Sequence, residues 1–319
     1  MIREFRPREA PRLLSLLRES FPEEEALYGT RPDAWARVVD RIYRWDLRLV
    51  LGLLRAVGRP VFRFLVAEEE GRMVGTSIVS FGPRAGYIST VMVDPSWRRR
   101  GIARGLIRAC ETVTARVRRP YVALDVLAHN APAIALYEAE GYRPLRSSAL
   151  LALPFASPGD GVASVGPPLG PVRPYRADDR EAVVAIARAS RPPPVAEVLP
   201  VSSRSMGVSG TLDRILSSES AAWVLVEGGR PVGYVGASVS DAMDAGTVAS
   251  PLVAAEATPE GARSLFAAAV GWIREHGAAR AVCQIARDQE GAMAAAGAVG
   301  LREAHGLITL FRAARRSAG

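Results

Sequence analysis

Lysine is absent from this 319-residue chain: all 41 basic residues are arginine. Cysteine occurs only at Cys110 and Cys283, and histidine only at His129, His276 and His305. The cysteines have no CxxC spacing, and no histidine stands at a zinc-ligand interval from them. The sequence therefore carries no zinc-binding pattern, and no metal is expected. So few thiols exclude a disulfide-stapled secreted scaffold and fit buried packing positions in a reducing compartment. Long apolar runs are missing too. The longest, LRLVLGLLRAVG from Leu47 to Gly58, is too short and too rich in arginine to span a bilayer. The chain opens on the strand-like IREF with no signal-peptide pattern, so the expected location is the cytoplasm, with no membrane partner. Aromatic and basic residues are not interleaved in the manner that stacks bases, and nucleic acid is not an expected partner.

What is present is an apolar content of 49%, enough for more than one core. The charge is unevenly placed. Residues 1–153 hold 25 arginines against 17 acidic residues, a net of +8, whereas residues 154–319 hold 16 of each. A positive field confined to one half points to an anionic ligand there, with solvated arginine as the plainer alternative. The use of arginine alone carries no functional reading.

PFASPGDGVASVGPPLG, from Pro154 to Gly170, is rich in Gly, Pro and Ser and has linker composition. The two sides of it read alike. IREF is matched by VRPY at Val172–Tyr175, and the hairpin Phe62–Phe81 by Ala221–Ser240, with the turns EEEGR and EGGR between alternating apolar strands. From Val91 onward the halves overlay with a constant offset of 159, Leu106 falling on Leu265, Ala109 on Ala268, Val122 on Ala281 and Gly141 on Gly300. A tandem duplication follows, each copy β-α-(α)-β-β-β-α-β-α-β, a mixed α/β sheet flanked by helices. The expected division is 1–153, a linker 154–170, and 171–319. Each copy ends in one clear strand, SSALLALPF or HGLITLFRA, which raises strand sharing between halves or between subunits.

In the first half, GYISTVMV (Gly86–Val93) reads as a buried strand, and Asp94 and Pro95 end it. Ile102, Leu106, Ile107, Cys110 and Val113 give helical spacing to Ile102–Val117. RRRGIA thus lies between a strand and a helix N-terminus, where unpaired N–H groups and the helix dipole favour an anion. Gly101 permits close backbone approach there.

This arrangement resembles the GNAT superfamily of acyl-CoA-dependent N-acyltransferases. Its Gln/Arg-x-x-Gly-x-Gly/Ala signature stands as Arg98-Arg99-Arg100-Gly101-Ile102-Ala103. A second family pattern stands as Asn130, Ala133, Leu136, Tyr137 and Gly141-Tyr142. The resemblance covers residues 1–150 well and 171–312 as a fold only, giving two tandem GNAT-like folds. It implies that the backbone of Arg99–Arg104 holds the pyrophosphate of acetyl-CoA, the co-substrate. Val91, Met92 and Val93 would pair with the pantetheine arm through the main chain, and Asn130 would contact that arm. Tyr137 would protonate the departing thiolate while a primary amine, of a small molecule or a peptide N-terminus, attacks the thioester directly. Many relatives carry a glutamate on the strand before the loop; here Tyr87 and Ser89 stand in that region. Asp125, five residues before Asn130, resembles the base of the ribosomal-protein N-terminal acetyltransferase subgroup, with an ion pair to a nearby arginine as the plainer reading.

Other features have ordinary explanations. Glu23-Glu24-Glu25 and Glu68-Glu69-Glu70 mark a solvated helix end and a hairpin turn. The segment Pro32–Gly58, with Trp35, Tyr43 and Trp45, either roofs the acceptor site, forms a subunit contact or is a core helix. Arg116, Arg118 and Arg119 end a helix, where cations suit the dipole. At the matching positions the second half carries Ala257-Thr258-Pro259-Glu260-Gly261-Ala262, with Gln289 for Asn130 and Ala296 for Tyr137, so it is expected to be structural. The alternative functions are an acyl-CoA sensor that uses the fold without catalysis and an arginine-driven nucleic-acid binder. Both a monomer and a homodimer fit the sequence.

Overall fold

The computed structural model describes residues 1–20, 22–29, 31, 61–155, 171–201 and 219–314. The segment 32–58, with its three aromatic residues, and linker residues 156–170 lie outside the described residues.

Hydrophobic alternation and helical spacing produce the same series of elements in each half. The first half contains β1 (Ile2–Glu4), α1 (Ala10–Ser20), α2 (Pro22–Tyr28), β2 (Phe62–Glu69), β3 (Arg72–Phe81), β4 (Ala85–Val93), α3 (Ile102–Arg116), β5 (Tyr121–Leu127), α4 (Ala131–Ala139) and β6 (Arg143–Pro154). The second contains β7 (Val172–Pro174), α5 (Arg180–Ala189), α6 (Pro193–Val198), β8 (Glu219–Glu227), β9 (Arg230–Val239), β10 (Ala245–Val253), α7 (Pro259–Glu275), β11 (Arg280–Ala286), α8 (Glu290–Ala298) and β12 (Arg302–Ala313).

The duplication is visible in contacts as well as in order. Near the start of each half an arginine and an acid close the same turn. Glu9 takes the Arg3 guanidinium and the Arg6 N–H, and Asp179 takes the Arg173 guanidinium and the Arg176 N–H. Gly86 and Gly246 each let a helix cross its strand closely. A Cβ would stand 2.2 Å from Thr114 Oγ1 in the first case and 2.3 Å from Ile273 Cγ2 in the second, positions 159 apart on α3 and α7.

All twelve strands form one sheet, in the order β1-β2-β3-β4-β5-β12-β6-β11-β10-β9-β8-β7. β4–β5 and β10–β11 are parallel; the other pairs are antiparallel. The halves have exchanged their last strands: β12 pairs with β5 from Leu307↔Leu127 to Ala313↔Tyr121, and β6 pairs with β11. The sharing raised by the single terminal strands therefore occurs within one chain. The linker composition marks the boundary between repeats, while the sheet runs through it.

Helices cover both faces. On one, α3 inserts Leu106, Ile107 and Cys110 against Val122, Leu124 and Val126, and α7 inserts Leu265, Phe266 and Ile273 in the equivalent cluster. Complete burial of each such side chain contributes about 1.5–3 kcal/mol. On the other face the second helix of each half crosses to its counterpart. Leu27 of α2 packs on Leu150, Ala245 and Val282, and Val198 of α6 packs on Ala85 and Ala123. The Arg31–Asp244 ion pair (2.6 Å) and the bond from Arg280 Nη1 to the Ala26 carbonyl (2.5 Å) hold the first crossing. A hydrogen bond from the Tyr121 hydroxyl to Glu197 holds the second. Cys110 and Cys283 are free and buried, as their sequence context suggested.

Candidate functional site

The site begins where two parallel strands part. β4 and β5 pair only from Ala85↔Tyr121 to Ile88↔Leu124. There β4 is bulged at Ser89, between the pairs Val79↔Ile88 and Ile78↔Thr90. A bulge adds twist and redirects the strand. Beyond it β4 stays with β3 through Ser77↔Val91, Thr76↔Met92 and Gly75↔Val93, while its other edge faces a gap. Met92 is buried beneath α1 with Leu16, and Val91 and Val93 lie against the α3 cluster, so the open edge offers main chain.

The gap ends at the arginine loop. Asp94 closes it by accepting the Ser96 N–H (2.9 Å) and hydroxyl (2.6 Å), and it also pairs with Arg12. The Ser96 bonds hold its carboxyl below the usual range against the effect of partial burial, and the Arg12 charge assists. Arg100 lies over the Trp97 ring at 4.6 Å. Arg99 and Gly101 have left-handed backbones, with φ of 63° and 79°, which turn the chain into α3. The N-cap of α3 is Gly101 itself, with no side-chain oxygen to receive the first helical N–H groups. These donors and the positive end of a 15-residue helix face outward beside exposed Arg98, Arg99 and Arg100. Arg104 is the arginine of this loop whose side chain turns away. Its guanidinium pairs with buried Glu140 at 2.9 Å, beside Arg108 at 2.8 Å, so only its main chain is left for an anion.

The second half answers the same position differently. Thr258 caps α7, its hydroxyl accepting the Gly261 N–H (3.2 Å), and Thr258 in turn donates its N–H to Glu227 (3.0 Å). A cleft of about 1060 Å³ persists between α5, α7 and α8, bordered by Glu256, Gln289 and Glu290. Its helix terminus is satisfied and its border is acidic, a poor setting for a phosphate.

Asn130, an exposed residue, caps α4, its Oδ1 accepting the Ala133 N–H at 3.2 Å. Tyr137 projects from the same helix into the α3 cluster, 7% exposed, edge-on to Tyr142. Burial pushes its phenol up to about 12, with the neighbouring Cys110 adding to the effect. Among the described residues its hydroxyl has no hydrogen-bond partner.

Asp125 lies elsewhere. Val122, Leu124 and Val126 face Tyr137 and α3, so alternation along β5 turns Asp125 to the opposite face. The structure therefore places Asp125 and Tyr137 on opposite faces of the sheet, beside the gap where β4 and β5 part. Among the described residues no arginine holds Asp125. Its carboxylate accepts from Thr309 Oγ1 (2.6 Å), Gln284 Nε2 (2.9 Å) and the Tyr87 hydroxyl. Tyr87 is held protonated by the enclosure of its hydroxyl and by the adjacent Asp125 charge. Two members of this group, Gln284 and Thr309, escape a reading of the first half alone. One was nonetheless discoverable: Gln284 stands 159 residues beyond Asp125, its counterpart in the repeat. Thr309 arrives only through the exchanged β12.

Residues 11–142 match the acetyltransferase (GNAT) family. Similarity in shape extends over the whole chain. A GCN5-related N-acetyltransferase from Sphaerobacter thermophilus superposes with a TM-score of 0.66 at 18% identity, covering 99% of this chain and 96% of that one. A tandem GNAT protein from the clavulanic acid biosynthesis pathway gives 0.66 at 16% identity and covers 99% of each chain. At such identities the likeness is one of fold: two GNAT folds in tandem.

Proposed function

We propose, from the match of residues 11–142 to the acetyltransferase (GNAT) family, that this chain is an acyl-CoA-dependent N-acyltransferase with one active centre. The single observation that carries this reading is the contrast between the two helix termini. The terminus of α3 is uncapped beside an open strand edge and three exposed arginines, whereas α7 is closed by Thr258 and Glu227.

Acetyl-CoA is the proposed donor. Its pyrophosphate sits at the N–H groups behind Arg99–Arg104, with Arg98 on the rim. Its pantetheine arm extends along Val91–Val93, and the amide of Asn130 closes the far side. A neutral primary amine approaches from the face that bears Asp125 and attacks the thioester carbon. A C–N bond forms, the C–S bond breaks, and Tyr137 delivers a proton to the thiolate; free coenzyme A and an amide result. A phenol raised to about 12 is fully protonated at neutral pH, as this role requires. Asp125, oriented by Thr309 and Gln284, receives the amine's proton through water. The second half supplies β12 and α6 to the acceptor face rather than a second centre.

Tyr137→Phe tests the assignment. Turnover, followed as thiol release, is expected to fall by about 10²–10⁴-fold with little change in KM for acetyl-CoA. A variant with wild-type turnover refutes the role. A second reading, an acyl-CoA-binding module without transfer, draws on the engagement of Asp125 by three protein groups. Coenzyme A binding without thiol release across polyamines, aminoglycosides, amino acids and N-terminal peptides favours it.

A further inference from the structure

Two of the chain's three histidines, His129 and His305, meet at one carboxylate. Glu23 comes from α2, His129 from the turn that leads from β5 into α4, and His305 from the exchanged β12. His129 Nε2 stands 3.2 Å and 3.0 Å from the two Glu23 oxygens, and His305 Nδ1 stands 3.4 Å from Oε2. The imidazole rings are 5.9 Å apart, and one ligand atom from each of the three residues lies within 4.8 Å of the others. Ligands about 2.0–2.1 Å from a tetrahedral ion are separated from one another by roughly 3.3 Å. The two Glu–His approaches have that spacing.

The scaffold beneath the ligands is fixed. Ala128 donates its N–H to the Gly306 carbonyl at 2.8 Å, so the residues next to both histidines are joined by a main-chain bond. Glu23 stands on the helix that crosses to the second half through Leu27. The ligand atoms are borderline nitrogen and hard oxygen, a set that suits zinc and its neighbours rather than calcium or magnesium. The two thiols are buried elsewhere and do not compete. We propose that Glu23, His129 and His305 form a three-ligand site for a divalent transition ion of the Zn²⁺ type, which pins α2 to the seam where the two halves exchange strands. This adds a metal to a chain whose sequence pattern led us to expect none. The pattern could not show it, because the ligands are 106 and 176 residues apart.

The test is calorimetric titration of tag-free, chelator-treated protein with Zn²⁺, with Co²⁺ as a spectroscopic probe. The expected result is one saturable equivalent per chain and visible Co²⁺ bands of nitrogen–oxygen ligation. His129→Ala, His305→Ala and Glu23→Gln should each weaken binding at least tenfold. His276→Ala, at the histidine outside the cluster, should leave it unchanged. Zn²⁺ should also raise the melting midpoint of the wild type but not of His305→Ala. Absence of saturable binding overturns the proposal, as does binding that survives all three ligand substitutions or is lost with His276→Ala. These readouts are independent of acyl transfer, so failure here leaves the enzymatic reading standing, and the reverse also holds.

Discussion

Replacing Gly101 by aspartate would impose on α3 the closure that Thr258 imposes on α7. Gly101 has a φ of 79° and no atom within 4 Å of a Cβ built on it, so the cost of a side chain there is conformational, not steric. For Gly101→Ala that cost is about 1–2 kcal/mol. Aspartate tolerates the left-handed region better, and its carboxylate accepts one of the free helical N–H groups, recovering about 1 kcal/mol as a cap. Folding stability should therefore change by less than about 1 kcal/mol in Gly101→Asp. The effect on an anionic ligand is larger. A carboxylate about 5 Å from a bound phosphate costs roughly 1 kcal/mol under water-like screening and roughly 3 kcal/mol at an effective dielectric of 20. That spans about 4-fold to about 200-fold in Kd, before the loss of the occupied donors is counted. Titration calorimetry with coenzyme A on the wild type, Gly101→Ala and Gly101→Asp reads the difference, repeated at higher salt, where the charge contribution shrinks. A folded Gly101→Asp protein with wild-type affinity refutes the reasoning. So does an equal loss in Gly101→Ala, which would assign the effect to backbone strain instead of charge.

Three further outcomes follow from the same contacts. Hydrogen bonds from Arg173, opposed by burial, and from the Arg176 N–H hold the Asp179 carboxyl below its ordinary value. The folded state therefore takes up that proton at lower pH than the unfolded chain, and the contribution, about 2 kcal/mol for a charge-assisted pair, is complete above roughly pH 4–5 and fades as pH falls toward the lowered pKa. Asp179→Asn should lower stability at pH 6 but not at pH 2–3, as measured by denaturant unfolding. Cys110 is pushed up to about 12 by burial, outweighing its bond with Ser77, so native protein should resist alkylation at pH 8 and react promptly once unfolded. Cleavage of the chain between residues 156 and 170 should leave two fragments that co-elute on gel filtration, because β6 and β12 are exchanged; fragments that separate as folded halves would contradict the strand order.

Local chemistry was legible in the sequence because it depends on near neighbours. The strand ending at Val93, the turn at Asp94-Pro95, the glycine at φ 79° and the helix face of Leu106, Ile107 and Cys110 all follow from residue type and spacing. Pairing partners were not legible. An alternating pattern states which face of a strand is buried, not which strand lies beside it, and β12 has the same pattern whether it joins β11 or β5. The relation of Asp125 to Tyr137 was not legible either. Spacing along the chain does not say which sheet face a strand residue takes relative to a following helix, and Asp125 lies on the face opposite Tyr137. Thr309 and Gln284, which orient it, depend on the long-range topology.

The exchange also gives the second half a structural part in the first. β5 carries Asp125 and the turn to His129 and Asn130, and its antiparallel neighbour is β12, the last strand of the second half. Removing the second half would expose the β5 edge from Tyr121 to Leu127 and take away Thr309. It would also remove α6, whose Val198 covers Ala85 and Ala123 at the root of the gap. Conversely, β11 relies on β6 and the β10–β11 face on Leu27 of α2. Within such an arrangement the α7 terminus, capped by Thr258, lies apart from the strand pairing that joins the halves. Loss of β12 would cost the first half both an edge and an orienting hydroxyl. The structure therefore ties the first half to the second through strand pairing, not through the second half's own cleft.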